Sequence, residues 1–325
     1  MSYSIEVGGF SSLEEGWRGL LQACSECHVF FSPGWHRTWW QHFGVGRELL
    51  LLSVHRGGEL VGIAPLMREG DTISLVGSDD VCDYMDFIAR PGEEKAFLTA
   101  VLDHLEPLGW RQVELHSLLP HSVALGHLVP LARERGHHVE TAQEDVSPQL
   151  MLPAHWDDYL EGLTRKDRHE MRRKMRRLSQ EGYRFSMVEG GEGLHRDMED
   201  FFSLFARGRD EKRGFMTDQM RGFFRDMASA TAEEGYLRLA FLEVAGERVA
   251  AALCFDCRDH LHLYNSGYDP AHSALSVGLL CKALCIREGI LQGKRRFDFL
   301  RGAESYKYHM GGEDVPLYRC LVSRR

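Results

Sequence analysis

One stretch limits the folds open to this chain more than any other: Leu261 to Met310 reads strand, turn, helix, strand and turn without a break. HLHLYNSGYD alternates as a strand does, PAHSALSVG is a loop that opens into a helix, and LLCKALCIREGILQG has helical spacing. KRRFDFLRGAESYKYHMGG is a strand running into a polar, Tyr-rich segment. The helix carries Val277, Leu280, Cys281 and Leu284 on one face and Leu279, Ala283, Ile286 and Ile290 on another, which predicts a buried helix. A strand joined to the next strand through a buried helix is an α/β (α+β) arrangement, and chemistry is expected along this run.

The start of that helix is a natural anion site. Pro270 ends the strand, and Ser273 or Ser276 is placed to cap the helix, so backbone N–H groups near Ala274 to Gly278 have no partner within it. Those donors, with the positive end of the helix dipole, suit a phosphate or pyrophosphate, and Gly278 permits close approach to the backbone. An ordinary capped helix behind a turn produces the same pattern. The following strand puts Phe297 and Phe299 on one side and Asp298 and Leu300 on the other. A carboxylate at the centre of an apolar strand needs a partner or a task, and Arg301, Glu304, Tyr306 and Lys307 follow within nine residues.

These residues carry a resemblance. YNSGYDP, a Ser-rich loop, a buried helix and FDFLRGAESYKYHMGG resemble the C-terminal half of the GNAT acyltransferase superfamily. More narrowly they resemble its CelD-like branch, associated with cellulose and exopolysaccharide synthesis and similar in turn to the Fem-type transferases, which carry two GNAT-like domains in tandem. A standard GNAT pyrophosphate loop has Gln or Arg, then Gly, a spacer and Gly or Ala; SALSVG has one glycine and no basic residue. The resemblance implies tandem GNAT-like domains, each a mixed, mostly antiparallel sheet flanked by helices.

Length agrees with that expectation, since 325 residues with 43% hydrophobic content suit two domains of roughly 150 residues. Pro148 and Pro153 interrupt regular pattern, which sets the expected boundary at 1–152 and 153–325. A net charge of −9 excludes a global nucleic-acid binder. MSYSIEVGGF has no secretory pattern, and the longest apolar run, Leu49 to Leu52, is far too short to span a bilayer, so a cytoplasmic location is expected. Of the eight cysteines, Cys24 with Cys27 and Cys254 with Cys257 form Cys-x-x-Cys pairs. Cys254 lies in a strand pattern, where positions three apart face opposite ways, so free buried thiols and no metal site are expected.

In the first half, Trp35, Trp39 and Trp40 crowd a helix after Ser32-Pro33; Trp39 belongs to the core or to the wall of an acyl or sugar site. DDVCDYMDFIA gathers Asp79, Asp80, Asp83 and Asp86 around Tyr84, and Asp83 and Tyr84 are candidates for binding an amine or sugar as well as for a solvated loop. The order of elements here is GNAT-like without an evident phosphate loop, so this half reads as a structural or substrate-binding copy.

The strongest charge anomaly is RKDRHEMRRKMRR, Arg165 to Arg177, with eight basic residues against Asp167 and Glu170. An apolar stripe at Leu160, Leu163, Met171, Met175 and Leu178 packs one face. The others are a solvated surface or a contact for a phosphorylated substrate, an anionic membrane or the acceptor end of a tRNA. The resemblance implies a role near the cleft for Arg165 and Arg168. Residues 207–218, RGRDEKRGFMTD, are expected to line the acceptor site, and Tyr264 to share a strand face with His262 and Ser266.

The mechanism implied is direct transfer of an acyl group from acyl-CoA to an amine. The pyrophosphate would rest on Ser273, Ser276, Val277 and Gly278, and the thioester carbonyl on backbone donors at Asn265, Ser266 and Gly267. Asp298 or Glu304 would take the amine proton, Tyr306 or Tyr264 would protonate the thiolate, and Lys307 and Arg301 would orient a small-molecule or saccharide acceptor. An acyl carrier protein would serve such a site through its phosphopantetheine arm. Two other classes stay open: a Fem-type aminoacyl-tRNA-dependent transferase, against which the acidic net charge weighs, and a non-catalytic scaffold of the same fold.

Overall fold

A computed structural model of the chain describes residues 3–24, 26, 28–208 and 214–324. Cys27 of the first Cys-x-x-Cys pair and residues 209–213 of the segment expected beside the acceptor lie outside the described residues. The chain divides into two compact units, Met1–Asp145 with Val315–Arg325, and Val146–Asp314.

The first unit begins with β1 (Tyr3–Val7), α1 (Phe10–Ala23) and α2 (Pro33–Phe43). Ser32 caps α2 by accepting from the Trp35 amide, with Pro33 just inside, as the Ser-Pro pair dictates. A meander of β2 (Glu48–Arg56), β3 (Glu59–Glu69) and β4 (Thr72–Leu75) follows, then a short β5 (Ile88–Ala89) and α3 (Glu94–Leu105). β6 (Gln112–Leu118) and α4 (Val129–Glu134) lead to β7 (His138–Met151). The last strand of the chain, β13 (Glu313–Ser323), pairs antiparallel with β6 from Val315 onward, giving the order β1-β2-β3-β4-β6-β13. Trp17, Trp35, Trp39, Tyr84 and Phe97 are fully buried here, which places Trp39 in the core.

The second unit has α5 (Trp156–Gly162), the basic helix α6 (Arg165–Glu181), β8 (Tyr183–Val188), α7 (Leu194–Gly208) and α8 (Asp218–Glu233). β9 (Leu237–Val244), β10 (Glu247–Cys257) and β11 (His260–Tyr268) form an antiparallel meander. α9 (Val277–Leu291) then crosses to β12 (Arg296–Asp298), and α10 (Ser305–His309) follows. The order is β7-β12-β11-β10-β9-β8, antiparallel except for β11 and β12. Eleven of the fifteen residues of α9 are buried, so it is a core helix, as its two apolar faces require. It packs against Ala250, Ala252, Cys254, Leu261 and Leu263 of the sheet.

Both units repeat one device. β4 pairs parallel with β6 at Thr72↔Gln112, Ile73↔Val113 and Ser74↔Glu114, and β11 pairs parallel with β12 at His260↔Arg296, Leu261↔Phe297 and His262↔Asp298. In each, three residue pairs hold together and the strands then separate.

α7 rests directly on β11. A Cβ at Gly267 would overlap the backbone of Leu204 and Phe205, whereas one on Gly19 of α1 would meet nothing within 4 Å. Gly267→Ala is therefore expected to destabilise the protein by about 1–3 kcal/mol through overpacking. Gly19→Ala should gain roughly 0.5–1 kcal/mol from helix propensity. Urea unfolding of the two variants measures the contrast, and effects of the same sign would show that α7 is not seated on β11 in this way.

Candidate functional site

The chemistry-bearing residues of the second unit cluster where β11 and β12 separate. β11 continues past its last pair with β12 as far as Tyr268, while the chain beyond Asp298 turns away through Leu300, which has a φ of +58°. A β-bulge sits at the same place: Leu253 faces Asn265 but Cys254 faces Leu263, so Tyr264 is the extra residue. The Tyr264 ring stacks on Phe224 at 5.7 Å and lies 5.3 Å from Phe255, on the α8 side of the sheet. Ser266 and Tyr268 pair with Ala252 and Ala250, which face α9. The expectation that Tyr264 shares a face with Ser266 is thus corrected: strict alternation holds only up to the bulge, and Tyr264 keeps company with His262 alone.

The start of α9 also differs in detail. Ser276 occupies the cap position in a left-handed conformation (φ +56°) with no side-chain bond, and Ser273 is exposed, accepting the Ser276 amide on its carbonyl. The side-chain cap comes earlier, from Asp269, which accepts from the Ala271 amide at 2.9 Å and from Arg207 at 2.7 Å. The first helical bond runs from Leu280 N–H to the Ser276 carbonyl, so the amides of Val277, Gly278 and Leu279 precede the ladder. A Cβ on Gly278 would stand 2.8 Å from the Tyr268 ring. The side of Gly278 that lacks a Cβ is taken up by the Tyr268 ring, and that of Gly267 by the backbone of α7. Asn265 and Ser266 are half-buried.

Asp298 is fully buried, and its oxygens are engaged by protein donors: Ser147 Oγ at 3.2 Å and the Leu300 amide at 2.8 Å on Oδ1, and Gln149 Nε2 at 3.1 Å on Oδ2. His262 Nε2 stands 4.0 Å away. Burial holds His262 neutral and lowers its pKa to about 3. Lys307, expected to orient an acceptor, is likewise buried. Its Nζ donates to the carbonyls of Leu300, Arg301 and Gly302 at 2.7–2.9 Å and lies 2.9 Å from the Glu304 carboxylate. An ammonium has three protons, and the loop takes all of them. Arg301 is half-buried and Glu304 exposed.

Tyr306 is half-buried against Phe299, and burial raises its pKa. Over its ring, 4.9 Å from the centroid, lies the Nζ of Lys282, which donates to the Gly278 carbonyl at 3.1 Å. Lys282 is buried, and desolvation lowers its pKa. Sequence reasoning missed it, although a lone lysine inside LLCKALC was the available signal. It missed Ser147 and Gln149 as well, which precede Asp298 by about 150 residues.

α6 packs against the 270–275 turn and α9. Thr164 caps it by accepting from the Asp167 amide. Arg168 is half-buried and donates to the Glu161 carbonyl at 3.1 Å, whereas Arg165 is exposed. Among the described residues Arg165, Lys166, Arg172, Lys174, Arg176 and Arg177 have no acidic partner, while Arg173 pairs with Glu170. In the first unit, Asp79 and Asp80 are exposed, Asp83 is half-buried, and Asp86 and Tyr84 are buried. Among the described residues no group of His, Cys, Asp and Glu is arranged to hold a metal.

Comparison with known proteins agrees with this geometry. Residues 165–308 match the acetyltransferase (GNAT) domain family. The fold is that of the GNAT transferases. FemX shares it with a TM-score of 0.66 at 12% identity, over 97% of this chain and 96% of that one. L-PGS from Bacillus licheniformis has a TM-score of 0.62 at 12% identity, covering 96% and 91%. A tandem GNAT protein from the clavulanic acid biosynthesis pathway has a TM-score of 0.54 at 13% identity, covering 99% and 98%. No curated protein sequence matches significantly. Among the described residues no helix is long and apolar enough to cross a membrane.

Two outcomes are expected. Lys307→Met strands three carbonyls, that of Leu300 buried and those of Arg301 and Gly302 partly so, and should cost about 1–3 kcal/mol in denaturant unfolding, whereas Lys166→Met on exposed α6 should leave stability unchanged; parity would remove the loop-holding role of Lys307. Because His262 has a folded pKa of about 3, below its unfolded value, the unfolded chain takes up the proton first as pH falls. Its contribution is present above pH ~6.5 and is lost progressively toward pH 3. His262→Asn should flatten the fall of melting temperature with acidification, and an unchanged slope would contradict this.

Proposed function

We propose that the protein is an N-acyltransferase that moves an acyl group from acyl-CoA to the amine of a small-molecule, amino-sugar or polysaccharide-precursor acceptor by direct attack. The observation that carries this reading is the parting of β11 and β12 beside the first-turn amides of α9, those of Val277, Gly278 and Leu279. A thioester arm would lie along β11 beyond its last pair with β12, with its pyrophosphate at the start of α9. SALSVG, which leads into α9, has no basic residue, and the cations of α6, which packs against the 270–275 turn, would supply positive charge.

In this reading Tyr306, with Lys282 over its ring, protonates the departing thiolate. The occupied oxygens of Asp298 support a structural role, which leaves the exposed Glu304 as the acceptor of the amine proton through water. A second reading, transfer of an aminoacyl group from tRNA, is favoured by one observation: six cations of α6 lie without acidic partners on a helix beside the same site.

Thermal stabilisation by CoA, acetyl-CoA and longer acyl-CoA species tests the first reading. A donor at ~100 times its dissociation constant should add roughly 2.7 kcal/mol. Tyr306→Phe should then lower kcat about 10²-fold with KM little changed. No shift with any thioester, together with salt-dependent binding of RNA, would replace the first reading with the second.

A further inference from the structure

The cations of α6 are ordered along the helix. Arg165, Arg172 and Arg176, with His169 between them, follow at spacings of four, three and four residues and form one line, with Lys166, Arg173 and Arg177 beside it. The opposite face is used for packing: Met171 and Leu178 are core residues, and Met175 packs against the core. Arg165, Lys166, Arg172, Arg176 and Arg177 are exposed, and none of them has an acidic partner among the described residues. Arg173 is taken by Glu170 at 2.8 Å. Arg165 to Arg177 carries +6 in a chain of net charge −9, so the rest of the chain stands at −15.

α6 packs against the 270–275 turn and against α9. In its first turn Asp167 Oδ1 lies 3.0 Å from Nδ1 of His309 in α10, the helix that carries Tyr306. The cationic line therefore adjoins the elements that would hold the donor in the acyl-transfer reading. It runs for about three turns, roughly 16 Å, which is more than the pyrophosphate of one CoA engages.

Three kinds of anionic partner suit such a line, and other features of the chain separate them. A membrane-binding helix sets large apolar side chains beside its cations, whereas those of α6 pack into the core. Single-stranded RNA needs aromatic faces for its bases, and α6 has no Phe, Tyr or Trp. RNA also extends beyond one helix and meets the −15 of the remaining chain, where charge is felt over about 8 Å. A small, folded acidic protein touches the helix alone.

We infer that α6 is the docking surface for a small acidic carrier protein that presents the acyl group on a phosphopantetheine arm, the same arm that CoA carries. The inference rests on the acyl-transfer reading and names a macromolecular donor for that site. An acidic helix of the carrier lies along Arg165, Arg172 and Arg176, and the arm enters where β11 and β12 part. The arm joins the carrier through a phosphodiester with a single negative charge, which the amides at the start of α9 meet without a basic residue in SALSVG. Transfer breaks the thioester C–S bond and forms the amide C–N bond. The amine gives up a proton, the departing thiolate takes one, and the carrier leaves with a free thiol.

The experiment is calorimetric titration of the full chain with a bacterial acyl carrier protein in its apo form, which lacks the arm, and in its acetyl and octanoyl forms, beside octanoyl-CoA. One site is expected for the carrier, with an acylated form at least about tenfold tighter than the apo form. Raising salt from about 50 to about 300 mM should weaken it at least about tenfold. Arg172→Glu and Arg176→Glu should each weaken carrier binding about tenfold or more with the melting temperature unchanged, and Arg172→Lys should retain it. Arg184→Glu, an equal charge change on exposed β8, should alter it less than about twofold. Binding of octanoyl-CoA without binding of any carrier form would overturn the docking surface and leave the acyl-transfer reading in place, whereas failure of every thioester, free or carried, would remove both. Equal affinity of apo and acylated carrier, an affinity that Arg172→Glu leaves intact, or binding of RNA or phosphatidylglycerol vesicles in place of the carrier would each overturn the assignment.

Discussion

A carboxylate removed from water must be bonded on both oxygens or neutralised, and Asp298 imposes that requirement at the centre of the second unit. Ser147 and Gln149 of β7 meet it from one side, and the amide of Leu300 meets it from the chain's own continuation. To present that amide two residues on, the backbone must turn at once, and Leu300 does so with a positive φ. β12 therefore ends at Asp298, while β11, under no such constraint, runs six residues further. The parting of β11 and β12 at the candidate site is a direct result of how one buried charge is satisfied.

The loop that turns away exposes carbonyls of its own to the interior, and Lys307 resolves them. Its ammonium draws Leu300, Arg301 and Gly302 around itself and fixes the start of α10, which sets where Tyr306 stands. Lys282 reaches the other face of the Tyr306 ring from within α9, one turn from the helix start. Two buried lysines thus bracket the tyrosine, one through the backbone and one through its ring. Close packing of Tyr268 under Gly278 and of α7 on Gly267 leaves little freedom to shift these elements.

Much of this was legible in the sequence, because it rests on local pattern. The two apolar faces of α9, the start of α2 after Ser32-Pro33 and the basic face of α6 each follow from residues within one or two turns of each other. What sequence pattern missed depends on tertiary contact. The bulge at Tyr264 adds a residue that no alternation reveals, so the face of Ser266 was reversed relative to it. Lys307 reads as a free cation beside Glu304 until the loop is seen to close on it. Gly278 looked like an opening for a ligand because sequence alone does not show that Tyr268 packs against it.

The repeated strand device carries different charge in the two units, and that difference argues for a division of labour. In the first unit the space where β4 and β6 separate, about 350 Å³, is lined by Glu69, Asp79 and Glu114, with His116 held by Glu144 at 2.8 Å. The glutamate there raises the pKa of His116, but the net lining stays acidic. α3 starts with Glu93 and Glu94, and Glu93 is occupied by Tyr3 and Arg56. An anionic phosphate meets repulsion at that helix start. In the second unit the corresponding helix, α9, begins with no acidic residue in its first turn, and the unpartnered cations of α6 lie beside it. The same backbone geometry therefore suits an anionic donor in one unit and rejects it in the other. In the acyl-transfer reading proposed above, this difference in charge is the reason to place the donor in the second unit.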